Sequence, residues 1–558
     1  MRRTKIVATL GPATESPAMI GALIEAGADV IRLNQSHGDR AWHERAFAAV
    51  REASARAGKP IAILVDLQGP KVRIGKVAGG LVELKTGSYV DLAAGDRTGD
   101  AGTLYTPLAQ LVEDLRRGDR VLLDDGNLQL TVVSKSPRRA RCRVLVGGPL
   151  ADHKGINLPG VRLNIPSFTS KDRQDLEWAV TAGADYVGVS FVRCAEDVRT
   201  VKRLLHRLKS GVRVVAKIEK PEALAEIDDI AVAADGLMVA RGDLGVEMPL
   251  EDVPVAQGTI ITSAHTHDVP VIVATQMLQS MTDNPRPTRA EVSDVAGAIF
   301  GGTDAVMLSG ETATGKFPVQ AVRQMAAIAE HSERFMETSG GFKPLLHQNP
   351  FYGVTDAVCH GANSAARDLA AKAVLVATNT GRTALLFSKY RFPGVAVGVS
   401  NDPIAVRRMA LYWGVRPVYV RRCRDREALL SASVAAARRR GLVSAGDTVV
   451  FITGSRLGKT GATNVLWVHR IPPEAAGSKA GLLRGATPHG EIRLDRNRCT
   501  NCGVCVGDCP AGIFGQSGGR LGFNRPALTG CAGDWHCVGI CPSGAISVSA
   551  RRRKRGGR

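Results

Sequence analysis

Charged side chains follow two successive strand-like runs in the first half of the chain. Lys217 and Glu219 end one run, and Gly242 and Asp243 follow the next. Side chains repeat every two residues along a strand, so Lys217 and Glu219 face the same side. Carboxylates from adjacent strand ends would share one Mg²⁺, an ammonium would neutralise a transferring phosphoryl group, and amides beyond the glycine would hold an anion. The alternative is a structural ion pair beside a turn.

A second chemical pattern lies in the cysteines, of which seven of the eleven fall between residues 499 and 541. Clustering of this kind argues for metal binding over disulfides. The first run has the spacing C-x₂-C-x₂-C-x₃-C-P, and zinc is the rival metal because four thiolates also suit it. The third cysteine and the proline favour iron–sulfur, and residues 491–549 resemble a bacterial-type [4Fe–4S] ferredoxin.

That resemblance implies two clusters, because the fourth cysteine of each run serves the other cluster in such ferredoxins. The ligands of cluster 1 would be Cys499, Cys502, Cys505 and Cys541. The ligands of cluster 2 would be Cys509, Cys531, Cys537 and, in place of a cysteine, Asp534. A carboxylate is a weaker ligand here, so cluster 2 would be [4Fe–4S] or [3Fe–4S]. Alternatively, Asp534 is a surface residue beside a site that lacks one ligand.

The elements that position these residues follow a repeated strand–helix pattern from residue 4 to residue 335. Eight such units are typical of a (β/α)₈ barrel, whose chemistry lies at the carboxyl ends of the strands. The predicted strands are 5–10, 29–33, 61–66, 186–191, 213–219, 236–240, 270–275 and 304–309. About a hundred residues after the third strand alternate short strands with turns, which predicts a small inserted β domain.

We therefore predict an α/β protein: a TIM (β/α)₈ barrel with an inserted small β-barrel domain, a C-terminal α/β regulatory domain and an α+β ferredoxin-like module. The predicted boundaries are 1–69 and 168–340 for the barrel, 70–167 for the insertion as a lid, 350–471 for the regulatory domain, 472–490 for a linker, 491–549 for the module and 550–558 for a disordered basic tail.

Composition narrows the class of protein. The chain has 558 residues, of which 44% are hydrophobic and 23% charged, which excludes disorder, collagen and coiled coil as the main state. The net charge of +20 suits anionic substrates or nucleic acid and does not choose between them. No apolar run approaches the ~18 residues of a membrane span, and no secretory signal is visible. We expect a cytoplasmic protein without membrane partners.

Several longer blocks carry a resemblance to the pyruvate kinase family over residues 1 to about 470, in the order in which the family has them. They include RLNQSHG (32–38), VDLQGPKVR (65–73), KIEKPE (217–222), MVARGDLGVE (238–247) and GTDAVMLSGETATGKFP (302–318). The resemblance implies the conversion of phosphoenolpyruvate and ADP into pyruvate and ATP, the last step of glycolysis. Polyanionic substrates agree with a site of arginine, lysine and Mg²⁺.

For the metal and the phosphoryl group, the resemblance implies that Glu219 and Asp243 bind Mg²⁺ or Mn²⁺. Lys217 would stabilise the transferring phosphoryl group, and Arg32 and Arg73 would contact phosphate.

For the remaining substrate contacts, the resemblance implies that His37 lies towards the nucleotide and Thr275 beside the enolpyruvate. Ser309 and Glu311 would belong to the proton-delivery side. Lys154 would come from the inserted domain, which would close as a lid and exclude water.

The 350–470 segment resembles the family's C-terminal regulatory domain. Thr378, Thr380, Gly381, Arg382 and Thr383 lie between a strand and a helix, where backbone amides and hydroxyls would form an anion nest. A sugar-phosphate or nucleotide effector would suit it, and an ordinary capped helix is the alternative. The resemblance also implies a homotetramer.

The leading function is thus a pyruvate kinase that carries an iron–sulfur module for redox sensing or for electron transfer to a redox partner. The alternative is an electron-transfer protein in which the barrel serves as a docking body. We do not expect nucleic acid as a partner.

One departure from the family concerns monovalent cations. Asn34, Ser36 and Asp66 resemble potassium ligands, but Lys71 stands where potassium-dependent members have a glutamate. A fixed ammonium would supply the charge that K⁺ supplies.

We predict that the activity does not require K⁺. Pyruvate formation measured in buffer free of Na⁺ and K⁺ should match that after K⁺ is added, and a strong requirement for K⁺ would refute the assignment.

Overall fold

A computed structural model describes residues 1–70, 72–161, 165–339, 353–456, 458, 461, 463–473, 482–496, 498–517, 520–533 and 536–550. Lys71, Asp534 and the predicted tail beyond Ala550 lie outside the described residues. The chain divides into two compact units, Met1–Pro350 with Ala410–Gly414, and Phe351–Met409 with Val415–Arg558.

The first unit contains the strands β1 Lys5–Thr9, β2 Val30–Asn34, β3 Ala62–Asp66, β4 Leu81–Leu84, β5 Tyr89–Ala94, β6 Thr103–Thr106, β7 Arg120–Leu123, β8 Leu128–Ser136, β9 Arg139–Val146, β10 Gly148–Ala151, β11 Ile156–Asn157, β12 Tyr186–Val189, β13 Arg213–Ile218, β14 Gly236–Ala240, β15 Val271–Ala274 and β16 Ala305–Leu308. Its helices are α1 Pro17–Ala26, α2 Arg40–Arg56, α3 Ala109–Asp114, α4 Ser170–Ala182, α5 Ala195–Arg207, α6 Glu222–Ala225, α7 Ile227–Ala233, α8 Arg241–Glu247, α9 Val253–Thr266, α10 Arg289–Phe300, α11 Gly310–Ala313 and α12 Pro318–Thr338.

Eight parallel strands close the barrel in the order β1-β16-β15-β14-β13-β12-β3-β2, which confirms the predicted TIM barrel. The strands are buried almost throughout because helices cover the outer face and side chains fill the interior. Five of the eight predicted strands end one or two residues earlier than expected, and in two of them a left-handed residue follows the strand. Phe191 and Thr275 adopt positive φ values of 55° and 68°, which turn the chain out of the strand direction.

The insertion between β3 and β12 forms a six-stranded sheet, β11-β7-β8-β9-β5-β6, and a separate antiparallel pair, β10-β4. We expected a small β barrel here. Among the described strands, hydrogen bonding does not join these two sheets. The insertion has a hydrophobic core of its own, in which alternate residues of β8 and β9 such as Leu130, Val132, Cys142 and Val144 are buried.

The second unit contains the strands β17 Ala373–Ala377, β18 Val395–Ser400, β19 Val415–Tyr419, β20 Thr448–Gly454, β21 Thr463–Arg470, β22 Leu482–Thr487, β23 Gly490–Asp495, β24 Phe514–Ser517, β25 Arg520–Phe523 and β26 Ile546–Ala550. Its helices are α13 Val354–Asp368, α14 Arg382–Lys389, α15 Pro403–Arg408, α16 Arg426–Arg439, α17 Val504–Asp508 and α18 His536–Ile540. The order β19-β18-β17-β20-β21, with only β21 antiparallel, confirms the predicted α/β domain.

The cysteine-rich module has an antiparallel sheet, β22-β23-β26, a hairpin, β24-β25, and the short helices α17 and α18. Its small core includes Ile492, Leu494, Ile513 and Phe514. We expected residues 472–490 to be a linker, but β22 lies within this segment. It is a strand because its backbone pairs with that of β23. No described helix combines the length and the hydrophobicity that crossing a bilayer requires.

Candidate active site

A buried ammonium group lies at the centre of the barrel's carboxyl end. Lys217 Nζ lies 2.8 Å from Glu219 Oε1 and 3.2 Å from Asp66 Oδ1, and it donates a hydrogen bond of 2.7 Å to Ser190 Oγ. These groups come from β13, from the end of β3 and from the loop after β12. Burial alone would lower the pKa of Lys217, but the two carboxylates outweigh it and raise the pKa. The lysine is therefore a fixed positive charge.

Arg32 pairs with the same aspartate from the neighbouring strand β2. Its Nε and Nη2 lie 2.7 and 2.6 Å from Asp66 Oδ2, and its Nη1 donates to Thr9 Oγ1 at 3.2 Å. Burial would raise the pKa of Asp66, but Lys217 and Arg32 outweigh burial and hold the pKa below its usual value. Asp66, assigned from the sequence to a monovalent-cation pocket, is thus the anion that orients two cations.

Glycine at position 188 makes this arrangement possible. A Cβ on Gly188, in β12, would lie 2.8 Å from Asp66 Oδ1 and 3.5 Å from Lys217 Cδ. Any side chain there would occupy the space in which the ion pair forms. The side chain of this residue carries no charge or hydrogen-bonding group, so no sequence pattern indicated its importance.

Glu219 and Asp243 form an acidic pair whose chemistry suits a divalent cation. Glu219 Oε2 accepts the Phe191 amide at 2.7 Å, which the positive φ of Phe191 directs towards it. Burial raises the pKa of Glu219 to about 7, with Asp243 adding to the rise and Lys217 opposing it. A divalent cation would keep both carboxylates ionised, and Mg²⁺ takes one or two carboxylates with water and substrate oxygens.

Among the described residues, those of the cysteine-rich module included, no group of three or more His, Cys, Asp or Glu could hold a metal ion. A magnesium site of two carboxylates does not need such a group, because substrate oxygens complete the coordination.

Thr275 adopts a strained conformation at the end of β15. Its φ of 68° is rare for a β-branched residue. Its Oγ1 donates to Ala274 O and accepts the Gly242 amide, both at 2.6 Å. The amide of Gly242 itself is therefore engaged by Thr275, whereas the amides that we expected to hold an anion are those beyond it. Arg241, which the sequence analysis missed, holds this turn by donating to Thr275 O at 3.0 Å and to Asp294 Oδ1 at 2.6 Å.

Glu311 is fully buried, and both its carboxylate oxygens accept backbone amides. The donors are Leu278, at 3.0 Å, and Ser309, at 2.7 Å. These contacts hold the Glu311 carboxylate against the backbone of the segments that follow β15 and β16. Ser309 Oγ is buried without a hydrogen-bond partner among the described residues, so of the two it is the group open to a new contact.

Arg73 and Lys154, which we expected to contact substrate, have partners within the insertion. Arg73 donates to His153 O at 2.8 Å, and Lys154 Nζ lies 2.7 Å from Asp124 Oδ1, both within the insertion. The hydrogen bond from Lys154 is the main reason that the pKa of Asp124 is lowered.

The predicted cation and nucleotide residues on the β2 loop lie together. Asn34 Oδ1 accepts the Ser36 amide at 3.1 Å, and Asn34 Nδ2 lies 3.3 Å from Nδ1 of the exposed His37. Asn34 and Ser36, which we assigned to the monovalent-cation pocket, thus contact each other. Lys71, assigned to the same pocket, lies outside the described residues.

A cleft runs between the insertion and the barrel beside the acidic pair. It is lined by Asp125, Asn157, Lys220, Asp243 and Glu247, among others. Glu247 Oε1 accepts hydrogen bonds from Asn157 Nδ2, at 2.9 Å, and from Lys220 Nζ, at 2.7 Å. The insertion therefore contacts the barrel through Glu247, which lies four positions after the proposed metal ligand Asp243 in α8.

The residues predicted for an effector lie at the N-terminus of α14. Gly381 has a φ of 88°, and its amide donates to Thr378 Oγ1 at 3.1 Å. Thr378, Thr380, Arg382 and Thr383 line one pocket. The pocket also contains three arginines that the sequence analysis missed: Arg421, Arg422 and Arg456. A strongly basic pocket at a helix N-terminus suits a phosphorylated ligand.

The cysteines assigned to cluster 1 lie together in the module. Burial, followed by the thiols of Cys499, Cys502 and Cys541, raises the pKa of Cys505 to about 12. The cysteines assigned to cluster 2 line a separate cavity. They are Cys509, Cys531 and Cys537. All seven thiols are free of disulfides.

Comparison with known proteins covers most of the chain. The model of the family described as "Pyruvate kinase, barrel domain" matches residues 1–322, and that described as "Pyruvate kinase, alpha/beta domain" matches residues 356–469. A pyruvate kinase of Geobacillus stearothermophilus is 43% identical over 476 residues, which are 84% of this chain and 80% of that protein. A pyruvate kinase of Sporosarcina psychrophila is 40% identical over 474 residues, 84% of this chain and 81% of the relative. A crystal structure of a pyruvate kinase from Cryptosporidium parvum has a TM-score of 0.78 at 32% identity and covers 84% of this chain and 96% of its own.

Replacement of Gly188 by alanine should destabilise the barrel, because Asp66 is held on its other side by Arg32 and has no space to move. Overpacking of this kind costs about 1–3 kcal/mol. Calorimetry should show a lower melting temperature for the barrel. Gly297→Ala is the matched control, since a Cβ at that α10 position meets nothing within 4 Å. Equal melting temperatures for the two variants would contradict the proposed crowding.

Proposed function

The chain belongs to the pyruvate kinase family and is a phosphotransferase, and from that premise we propose how its residues transfer a phosphoryl group from phosphoenolpyruvate to ADP. The observation that carries the proposal is the buried Lys217 ammonium between Asp66 and Glu219, at the barrel end where Asp243 also lies. A fixed cation beside two carboxylates suits the binding and neutralisation of a phosphoryl group together with a divalent metal ion.

Glu219 and Asp243 would hold Mg²⁺ or Mn²⁺, and the bound ion would supply charge neutralisation at the phosphoryl oxygens. Lys217 faces the same group and stabilises the charge that spreads over its oxygens during transfer. Arg32 is oriented by Asp66 and would bind a phosphate oxygen. The bond from phosphorus to the enolate oxygen breaks, and a bond to a terminal phosphate oxygen of ADP forms.

The enolpyruvate that leaves must gain a proton at its terminal carbon to become pyruvate. Thr275 and Ser309 are the hydroxyl groups that we assign to this side of the site. Ser309 Oγ has no hydrogen-bond partner among the described residues, which leaves it available to hold a water or the substrate. Glu311 would hold Ser309 in place by accepting its backbone amide.

The insertion would act as a lid over the cleft. Its contact with the barrel at Asn157 and Glu247 lies close to Asp243 along α8, so lid position and the metal site are adjacent. On closure, Arg73 and Lys154 would exchange their partners within the insertion for substrate phosphate, while His37 lies towards the nucleotide. Exclusion of water protects the phosphoryl group from hydrolysis.

The α14 pocket would bind a sugar-phosphate or nucleotide effector through Thr378, Thr380, Arg382 and Thr383. The glycine at position 381 allows the turn that presents the helix amides. A homotetramer, a cytoplasmic location and K⁺-independent activity remain part of the proposal. The family resemblance supports the homotetramer, whereas K⁺ independence rests on Lys71, at which the sequence departs from the potassium-dependent members.

The C-terminal module would hold two iron–sulfur clusters. Neither family model extends past residue 469, so the support comes from the cysteine spacing and from the module itself. Burial raises the pKa of the Cys499 and Cys505 thiols, to which the nearby Cys502 and Cys541 add, and the second set of cysteines lines a cavity. Thiolates of a cluster bind different iron atoms, so they lie farther apart than the ligands of one zinc ion.

The same module also supports the second candidate function, an electron-transfer protein that uses the barrel for docking. The complete set of Lys217, Glu219, Asp243 and Thr275 favours the kinase, because a docking body would not require it.

Replacement of Lys217 by methionine should reduce kcat for pyruvate formation by about 100-fold or more, the usual effect of losing a charge that stabilises the transition state. Steady-state kinetics measure the loss, and stabilisation of the variant by phosphoenolpyruvate against thermal unfolding shows that it still folds and binds. Lys202→Met is the control, since Lys202 only pairs with Asp235 on the outside of the barrel. A K217M enzyme with normal kcat would contradict the assignment.

Anaerobically prepared protein should contain about eight iron atoms, or about seven with a [3Fe–4S] cluster 2, and matching acid-labile sulfide. Cys502→Ser should lose about half of the iron, whereas Cys142→Ala, in the core of the insertion, should keep all of it. Stoichiometric zinc without labile sulfide would contradict the iron–sulfur assignment.

A pyruvate-forming assay of oxidised and dithionite-reduced protein should show activity in both states. Equal rates would identify the module as a passenger or an independent electron carrier, and unequal rates would identify it as a sensor that regulates the kinase. Absence of activity in both states would favour the electron-transfer protein.

A further inference from the structure

One loop of the second unit has the effector pocket on one side and the cysteine-rich module on the other. It comprises residues 420–424, directly after β19. Arg421, Arg422 and Cys423 line the pocket at the N-terminus of α14. No described residue of the active site lies in this loop, so it has no function in the transfer reaction.

The module contacts this loop through an ion pair. Arg421 Nη1 lies 2.8 Å from Asp508 Oδ2, at the last residue of α17. The same α17 contains Cys505, and Cys509 follows Asp508 directly, so the carboxylate is attached to the segment that carries ligands of both proposed clusters.

Arg421 therefore has two competing uses. Its side chain is 63% exposed and that of Asp508 is 38% exposed, so the ion pair is weak enough to exchange. A phosphate monoester in the pocket would attract the same guanidinium, which binds phosphate well because of its planar donors. The guanidinium cannot make its best contacts with both anions at once.

We propose that Arg421 is shared between the module's Asp508 and the phosphate of the effector, so that docking of the module weakens effector binding. The inference rests on the proposed effector site. Coupling of this kind is reciprocal: a bound effector would weaken the contact of the module with the loop by the same factor.

The test is calorimetric titration of the full-length, iron-loaded protein with two phosphate monoesters, glucose 6-phosphate for a sugar effector and AMP for a nucleotide. Asp508→Asn should lower the Kd of whichever compound binds by about two- to fivefold, the factor expected from an exposed ion pair. Glu491→Gln is the matched control on the module, because Glu491 pairs with Arg493 and should leave the Kd unchanged.

Arg421→Ala completes the cycle. It should weaken binding, and adding Asp508→Asn to it should change the Kd no further, because the competitor has lost its target. A Kd of D508N equal to that of the unmodified protein would overturn the shared arginine while leaving the effector site intact. Failure of both compounds to bind the unmodified protein would overturn the effector site, and the coupling with it. Unchanged iron content of each variant shows that the module is intact.

Discussion

The interaction on which the rest of the active site depends is the buried contact of Lys217 with Asp66 and Glu219. Removing charges from water is costly, and the cost is offset only when each charge meets a partner at short range. Here the partners come from β3 and β13, with Ser190 contributing from the loop after β12. A closed barrel supplies that geometry, because neighbouring parallel strands bring their carboxyl ends to the same face.

The turns that follow the barrel strands place further polar groups of the site. Phe191 and Thr275 hold positive φ values, and each directs a polar group to a partner that a regular strand would miss. Such conformations cost of order 1–3 kcal/mol each and persist only where surrounding contacts impose them. Arg241 and Glu311 provide those contacts around Thr275 and Ser309 by binding backbone groups. Side chains that bind backbone groups thus determine where Thr275 and Ser309 lie.

The second unit contains two domains, the α/β domain and the cysteine-rich module, and their hydrophobic cores differ in size. Its α/β sheet has a core of buried valine, leucine and phenylalanine. The module has a much smaller core that includes Cys505 and Cys537, so metal binding would add to its stability. Contacts between the two domains include Arg421 with Asp508 and Arg439 with the carbonyl of Pro542. Both contacts are polar and exposed. They therefore suit an interface in which the module can change its contact with the α/β domain.

The sequence by itself determined the barrel, the inserted domain, the α/β domain and most residues of the site. Buried strands require continuous apolar runs, and a charged residue at the end of such a run is conspicuous. It did not determine the importance of Gly188, Ser190 or Arg241, the engagement of Glu311, or the pairing of Arg421 with Asp508. These depend on contacts between residues far apart in the chain, such as the 87 positions between Arg421 and Asp508. Local periodicity specifies which face a side chain occupies, whereas strand register and packing decide which partner it meets there.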